Sequence, residues 1–71
     1  MDFPTRLREL RKTRHLTQKQ VAEGANITEI AVQNYESGRR KPNYDTLIAL
    51  SDFFDVSLDY LVGRSDVAER R

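Results

Sequence analysis

The stretch Thr17–Tyr35, TQKQVAEGANITEIAVQNY, constrains the fold of this 71-residue chain more than any other segment. It has the pattern of a short helix, a tight turn without proline, and a second helix with two chemically different faces. Thr17 can cap the first helix, and Gln20 at the third helical position suits a capping box. Asn26 lies where the chain must reverse, because asparagine tolerates the left-handed conformation. Such a pair can place one helix against a duplex and the other in its major groove.

The rest of the chain predicts three more helices and therefore an all-α domain of five short helices. Leu7 and Leu10 face inward on an amphipathic first helix between Thr5 and Arg14, with basic residues on its other faces. A fourth helix begins after a cap at Asn43, and Ser57 caps a fifth helix, Leu58–Val62. The side chains expected to face inward from the fourth helix onward are Leu47, Leu50, Ser51, Phe54 and Val56.

The length leaves room for one small core, because a chain this short buries only about 60% of its unfolded surface. We expect the domain to occupy residues 1–63, with residues 64–71 as a tail that is either frayed or the start of a linker. There is no cysteine, which excludes a disulfide framework and a zinc finger. No signal peptide and no apolar run of about 20 residues is present, so a soluble cytoplasmic domain is expected.

Charge is unevenly distributed although the net charge is only +1. Residues 1–42 carry nine basic and five acidic side chains, whereas residues 43–71 carry three basic and six acidic ones. A basic half joined to an acidic half forms a charge dipole, which could orient the protein on a polyanion. Two ordinary solvated faces would give the same distribution.

The third predicted helix, between a cap at Thr28 and a terminating Gly38, divides into two faces. Turning successive residues by about 100° places Ala31, Val32 and Tyr35 inward. The outward face is polar and nearly uncharged, and it consists of Glu29, Ile30, Gln33, Asn34 and Ser37.

An outward face of this kind suits the reading of base pairs in a major groove. Amide side chains can donate to and accept from an adenine edge, a carboxylate can accept from cytosine, and an isoleucine can pack on a thymine methyl group. Lys19 and the basic loop Arg39–Lys41 flank this face and would add affinity for phosphates without sequence information. Alternatively, Gln33 and Asn34 are merely solvated and Ile30 is an isolated exposed apolar residue.

With these positions laid out, the chain resembles the phage repressor and Cro-like helix-turn-helix family of bacterial regulators over about Leu7–Gly63. The ordered set of matching residues is Arg11, Thr17, Gln18, Ala22, Ile27, Thr28, Val32, Tyr35, Glu36, Gly38, Pro42, Leu47 and the run 56–61, VSLDYL.

The resemblance implies sequence-specific binding of double-stranded DNA through the second and third helices, and it assigns roles by position. The base-reading residues would be Glu29, Ile30, Gln33 and Asn34. The phosphate-binding residues by family position would be Gln18, Thr28, Arg39, Arg40, Lys41 and Asn43. Lys19, which flanks the outward face, and Ser37, which lies on it, are expected to bind phosphates as well. Arg11 and Glu36 look like the structural ion pair between the first and third helices of this family.

Some positions depart from the family pattern. Gly24 lies inside the second helix, where glycine costs about 1 kcal/mol relative to alanine. Asn26 replaces the common turn glycine, and Asp55 stands where a small helix-ending residue is usual. Glu29 and Ile30 are less usual base-reading residues than a glutamine or serine pair, so the operator sequence cannot be read from the family.

Nothing in the sequence suggests catalysis, and no cofactor is implied. The single histidine, His15, has no partner at ligand spacing, so neither a metal site nor a catalytic residue is predicted. Ile48, Phe53, Leu58 and Val62 lie off the main inward stripe, which indicates either a wide core or a homodimer contact through the last two helices. The sequence thus favours a homodimeric repressor on a palindromic operator, with an effector or partner protein left open. The other interpretation is a protein-interaction module, an antitoxin or adaptor with the same fold.

Overall fold

A computed structural model describes residues 1–69 and shows five α-helices and no strand among them. The helices are α1 Phe3–Thr13, α2 Gln18–Ala25, α3 Glu29–Ser37, α4 Tyr44–Phe54 and α5 Leu58–Leu61. The predicted all-α architecture is confirmed. Arg70 and Arg71, the end of the predicted tail, lie outside the described residues.

Local side-chain capping explains where four of these helices begin. The hydroxyl of Thr17 accepts the backbone N–H of Gln20 at 3.0 Å, and the Gln20 side chain accepts the backbone N–H of Thr17 at 2.8 Å, which forms the predicted capping box. Thr28, Asn43 and Ser57 cap α3, α4 and α5 as predicted. These bonds satisfy N–H groups that the first turn of a helix leaves unpaired.

The ends of the first and last helices differ slightly from the sequence prediction. α1 begins at Phe3 rather than Thr5, because the carboxylate of Asp2 accepts the backbone N–H of Thr5 at 3.0 Å and Pro4 suits the first turn. Hydrogen bonds from the side chain and backbone of Thr5 lower the pKa of Asp2. At the other end of the domain, α5 stops at Leu61 and Val62 is its C-cap.

All five helices or their flanks contribute to one apolar core. Phe54, Leu7, Leu50, Leu61, Val21 and Val32 are its largest fully buried side chains. The smaller Ala22 and Ala25 let α2 approach its neighbours, and Val56 seals the core after α4. Leu47 and Tyr35, which were expected to face inward, are only half-buried. This single core supports the helix pair formed by α2 and α3.

The structure buries Arg6, one of the basic residues that the amphipathic pattern places on the other faces of α1. Its residue exposure is only 3%, and its guanidinium carbon lies 3.7 Å from the centroid of the Tyr60 ring. The sequence pattern did not reveal this burial, because the aromatic partner is distant in sequence and comes from α5.

The described part of the tail folds back on the domain instead of fraying. The backbone N–H of Ser57 donates to the carbonyl of Ala68 at 3.0 Å, and the Ser57 hydroxyl lies 3.4 Å from the carbonyl of Val67. Within residues 1–69, no helix has the length and apolar character needed to cross a membrane.

Candidate nucleic-acid interface

The orientation of α3 is fixed by the residues on its inner face. Val32 is fully buried in the core, and the half-buried ring of Tyr35 packs edge-on against Phe3 with centroids 6.2 Å apart. Ala31 is half-buried beside them. The inner face predicted from helical periodicity therefore anchors α3, although less completely at Ala31 and Tyr35 than at Val32.

The outer face of α3 presents an exposed group of three side chains. Glu29, Ile30 and Gln33 are exposed, and the exposure of Ile30 reaches 67%. Asn34 differs from this group because it is half-buried. The structure thus brings three of the four predicted base-reading residues onto one open surface and leaves the fourth at its edge.

The end of α3 holds the basic loop in place. Gly38 has a positive φ of 79°, which a glycine adopts without strain, and it reverses the chain after Ser37. The carbonyl of Asn34 then accepts the backbone N–H groups of Arg39 at 3.0 Å and Arg40 at 3.4 Å. The start of the loop is therefore tied to the last turn of the exposed helix.

An ion pair joins the end of α3 to α1, as the family resemblance implies. Arg11 Nε donates to Glu36 Oε2 at 2.7 Å, and Arg11 Nη2 donates to Glu36 Oε1 at 3.0 Å. Their side chains are only 14% and 5% exposed. The hydrogen bonds to Glu36 raise the pKa of Arg11. Such a two-pronged contact fixes both distance and angle, so it holds α3 in one orientation.

Gln18 also belongs to this buried network, a link that the sequence did not indicate. Its side-chain Nε2 donates to Glu36 Oε1 at 3.2 Å. One of its two amide protons is therefore used inside the protein, and the other can still meet a phosphate. A phosphate contact at Gln18 would be oriented by the same carboxylate that receives Arg11.

The remaining predicted phosphate contacts can be judged by which hydrogen-bond donors they have left. Thr28 and Asn43 use their side-chain oxygens to accept the backbone N–H groups of Ala31 and Thr46, so these capping bonds do not use their own side-chain donors. Ser37 is different, because its hydroxyl donates to the carbonyl of Asn34 at 3.1 Å. Ser37 would have to break that bond before donating to a phosphate oxygen.

The positive charges of the candidate interface are exposed around α3. Lys19, Arg39, Arg40 and Lys41 are all exposed. Tyr44, to which the sequence pattern assigns no role, is 68% exposed at the first position of α4, next to the cap at Asn43. Its phenolic hydroxyl is a further hydrogen-bond donor on this side of the basic loop. The only signal for this role in the sequence is that Tyr44 directly follows Asn43.

No group of three or more histidine, cysteine, aspartate or glutamate side chains in residues 1–69 is arranged to hold a metal ion. His15 lies exposed in the turn after α1, where it has a positive φ of 57°.

Comparison with known proteins adds a family to this geometry. The family model described as helix-turn-helix matches residues 7–61, which include all of α2, α3 and α4. The helix-turn-helix transcriptional regulator ImmR of Bacillus subtilis is 41% identical over 70 residues, which are 99% of this chain and 55% of ImmR. The transcriptional activator BcrR of Enterococcus faecalis is 36% identical over 94% of this chain and 33% of its own. The chain spans about half the length of ImmR and about a third of the length of BcrR.

A solved structure shares the fold across nearly the whole of both chains. The P22 c2 repressor in complex with a synthetic operator superposes with a TM-score of 0.86 and 26% sequence identity. The match covers 92% of this chain and 98% of the P22 protein.

Proposed function

The chain belongs to the helix-turn-helix family, and we propose that it binds double-stranded DNA sequence-specifically as a transcriptional regulator. The observation that carries this proposal is the exposed face of α3, which joins an apolar side chain to polar ones. The helix that carries it is held by the buried Val32 and by the Arg11–Glu36 ion pair. A helix that reads a major groove needs a chemically varied outer face and a fixed orientation. The proposed activity is binding rather than catalysis, and the protein would act on DNA in the cytoplasm.

We assign base reading and phosphate binding to different parts of this surface. Glu29, Ile30 and Gln33 would contact base edges, with Asn34 at the margin of the contact. The side chains that would bind phosphates are Gln18, Lys19, Thr28, Ser37, Arg39, Arg40, Lys41 and Asn43, and Ser37 has the least available donor. Phosphate contacts set position and affinity, whereas base contacts set sequence preference.

We propose further that the protein acts as a repressor and binds a palindromic operator as a homodimer through α4 and α5. Leu58 at the start of α5 is 36% exposed, and Ile48 and Val62 are half-buried near it. A two-fold dimer would set two copies of α3 about 34–36 Å apart, one turn of duplex. The operator complex of the P22 c2 repressor supports a repressor role, while the activator BcrR shows that the family also includes activators.

Salt dependence of binding tests DNA as the ligand. Duplexes selected from a random pool should bind with an affinity that falls steeply as salt rises, because phosphate contacts release counterions. Arg40→Ala should reduce the slope of log K against log salt by about one. Arg64→Ala, which removes the same charge outside the proposed interface, should leave the slope unchanged.

A flat salt response, or no enrichment of any duplex, would contradict the proposal. Either result would favour the other class, a protein-interaction module such as an antitoxin or adaptor. A partner protein or small effector could also bind the protein while DNA remains its ligand. Such a molecule would change the affinity for the duplex without taking the place of the duplex.

A further inference from the structure

Arg6 on α1 is a buried positive charge that the proposed DNA interface does not use. Its side chain is 4% exposed, and its Nε has no hydrogen-bond partner among residues 1–69. A buried polar atom without a partner is costly, so the other contacts of the guanidinium have to offset that cost.

The groups around Arg6 come from α5 and from the segment that follows it. The guanidinium carbon lies 3.7 Å from the centroid of the Tyr60 ring. Arg6 Nη2 is 3.5 Å from the carbonyl oxygen of Ser65 and 3.6 Å from Asp66 Oδ1. Asp66 is fully exposed, and exposed ion pairs contribute little. The aromatic stack therefore holds the guanidinium firmly on α5, as expected for a planar, weakly hydrated group. From that position Arg6 Nη2 reaches the carbonyl of Ser65 in the segment after α5.

Residues 64–69, which we name the strap, are fastened at a second place. Ser57 donates its backbone N–H to the carbonyl of Ala68 at 3.0 Å, and its hydroxyl accepts the N–H of Tyr60 at 3.1 Å. The same hydroxyl lies 3.4 Å from the carbonyl of Val67. One residue thus caps α5 and pairs with the strap, so the strap and the start of α5 are ordered together.

The strap also forms one wall of a cleft of about 650 Å³. Ile48, Val56 and Leu58 are apolar side chains of that cleft, and Val67 of the strap belongs to the same lining. A docked strap therefore covers one side of this face of α4 and α5, and a released strap would leave the face open to solvent.

We propose that Arg6 is a latch that holds the strap against α1 and α5, and that its release opens the cleft without unfolding helices α1–α4. The latch is a conformational device separate from the proposed DNA contacts. It fixes the direction in which the chain leaves α5, and it controls access to the apolar face beside Leu58. Its mechanism is the stacking of one guanidinium on Tyr60 together with its reach to the backbone of Ser65.

Amide hydrogen exchange of the 71-residue chain tests the latch directly. In Arg6→Met, which keeps an unbranched side chain but removes the charge and the planar group, the Ser57 amide should exchange at least about tenfold faster. The Val32 amide, which donates to the carbonyl of the α3 cap residue Thr28, should keep its wild-type rate. Arg8→Met, an exposed arginine on the same helix, is the matched control and should change neither rate.

Two tyrosine variants keep the test decisive if Arg6→Met does not fold. Tyr60→Phe retains the ring and should preserve Ser57 protection, whereas Tyr60→Leu should lose it. Unchanged Ser57 exchange in folded Arg6→Met and Tyr60→Leu would overturn the proposal. Equal acceleration at Ser57 and Val32 would also overturn it, because Arg6 would then support the whole core. If Asp66→Asn released the strap as fully as Arg6→Met, the assignment of the hold to the Tyr60 stack would be wrong.

Discussion

Gly24 of α2 packs closely against the ring of Phe53 of α4. A β-carbon added at Gly24 would lie 2.8 Å from Cζ of Phe53 and still closer to two other ring atoms. The sequence presented this glycine as a weakness of the second helix. The structure shows that its missing side chain is what allows α2 and α4 to pack at this point.

Gly24→Ala should therefore destabilise the domain even though alanine is the better helix former. Overpacking costs typically about 1–3 kcal/mol, which exceeds the gain of about 1 kcal/mol in helix propensity. Urea unfolding should show a lower midpoint for Gly24→Ala and a partial recovery in Gly24→Ala/Phe53→Leu. A more stable single variant would contradict the packing described here.

Glu36→Ala should cause a large loss of stability. It leaves the guanidinium of Arg11 without its carboxylate and removes the acceptor of Gln18. Breaking a buried pair by removing one partner costs about 3–5 kcal/mol, a large share of the stability of about 5–15 kcal/mol of a typical domain. Thermal unfolding followed by circular dichroism measures this loss of stability as a lower melting temperature of Glu36→Ala.

The control is the double replacement Arg11→Met/Glu36→Leu, which removes both charges. It should be more stable than Arg11→Met alone or Glu36→Leu alone, because no buried charge is then left unpaired. If the double variant were as unstable as the sum of the singles, the pair would not be coupled in the way its geometry indicates.

Asp2 should make the stability of α1 depend on pH. Its pKa is lowered in the folded state by the hydrogen bonds of Thr5, so its contribution is present above the unfolded pKa and is lost as pH falls through the folded pKa. Asp2→Asn keeps a good cap but cannot titrate, so its melting temperature should fall less between neutral and strongly acidic pH than that of the wild type. Identical acid profiles would show that this cap does not contribute.

The sequence predicted the parts of the fold that depend on neighbouring residues. The caps at Thr17, Thr28 and Asn43 and the left-handed turn at Asn26 follow from local hydrogen bonding and backbone preference. The helical periodicity also identified the exposed face of α3. These features involve residues a few positions apart, so a single sequence contains enough information about them.

Features that depend on distant partners were not predictable in this way. The burial of Arg6 requires Tyr60, and the role of Gly24 requires Phe53, each contributed by a helix far along the chain. Helical periodicity placed Asn34 on the outward face, whereas the structure leaves it half-buried, with its carbonyl bonded to the backbone N–H groups of Arg39 and Arg40. Family position suggested the base-reading and phosphate-binding roles, and these stay predictions until DNA binding is measured.

Leu58→Asp should separate dimer formation from DNA contact. An aspartate at the first position of α5 suits the helix dipole, so the fold should be kept while an apolar contact is lost. Affinity for a duplex with two half-sites should fall by about a hundredfold, because two linked contacts become one. Affinity for a single half-site should be unchanged. Sedimentation of the complexes measures how many protein copies bind each duplex. A wild-type protein that bound the palindrome as a single copy would contradict the homodimer.

Selection of bound duplexes from a random pool, carried out in parallel with wild type, Gln33→Ala and Arg40→Ala, tests the central claim most directly. If the outer face of α3 reads bases, Gln33→Ala should lose preference at one position of each half-site, a loss of about 1–3 kcal/mol of discrimination. Arg40→Ala should select the wild-type sequence with weaker affinity throughout. A Gln33→Ala protein that selects the wild-type sequence with undiminished preference would contradict the assignment of α3 as the reading helix.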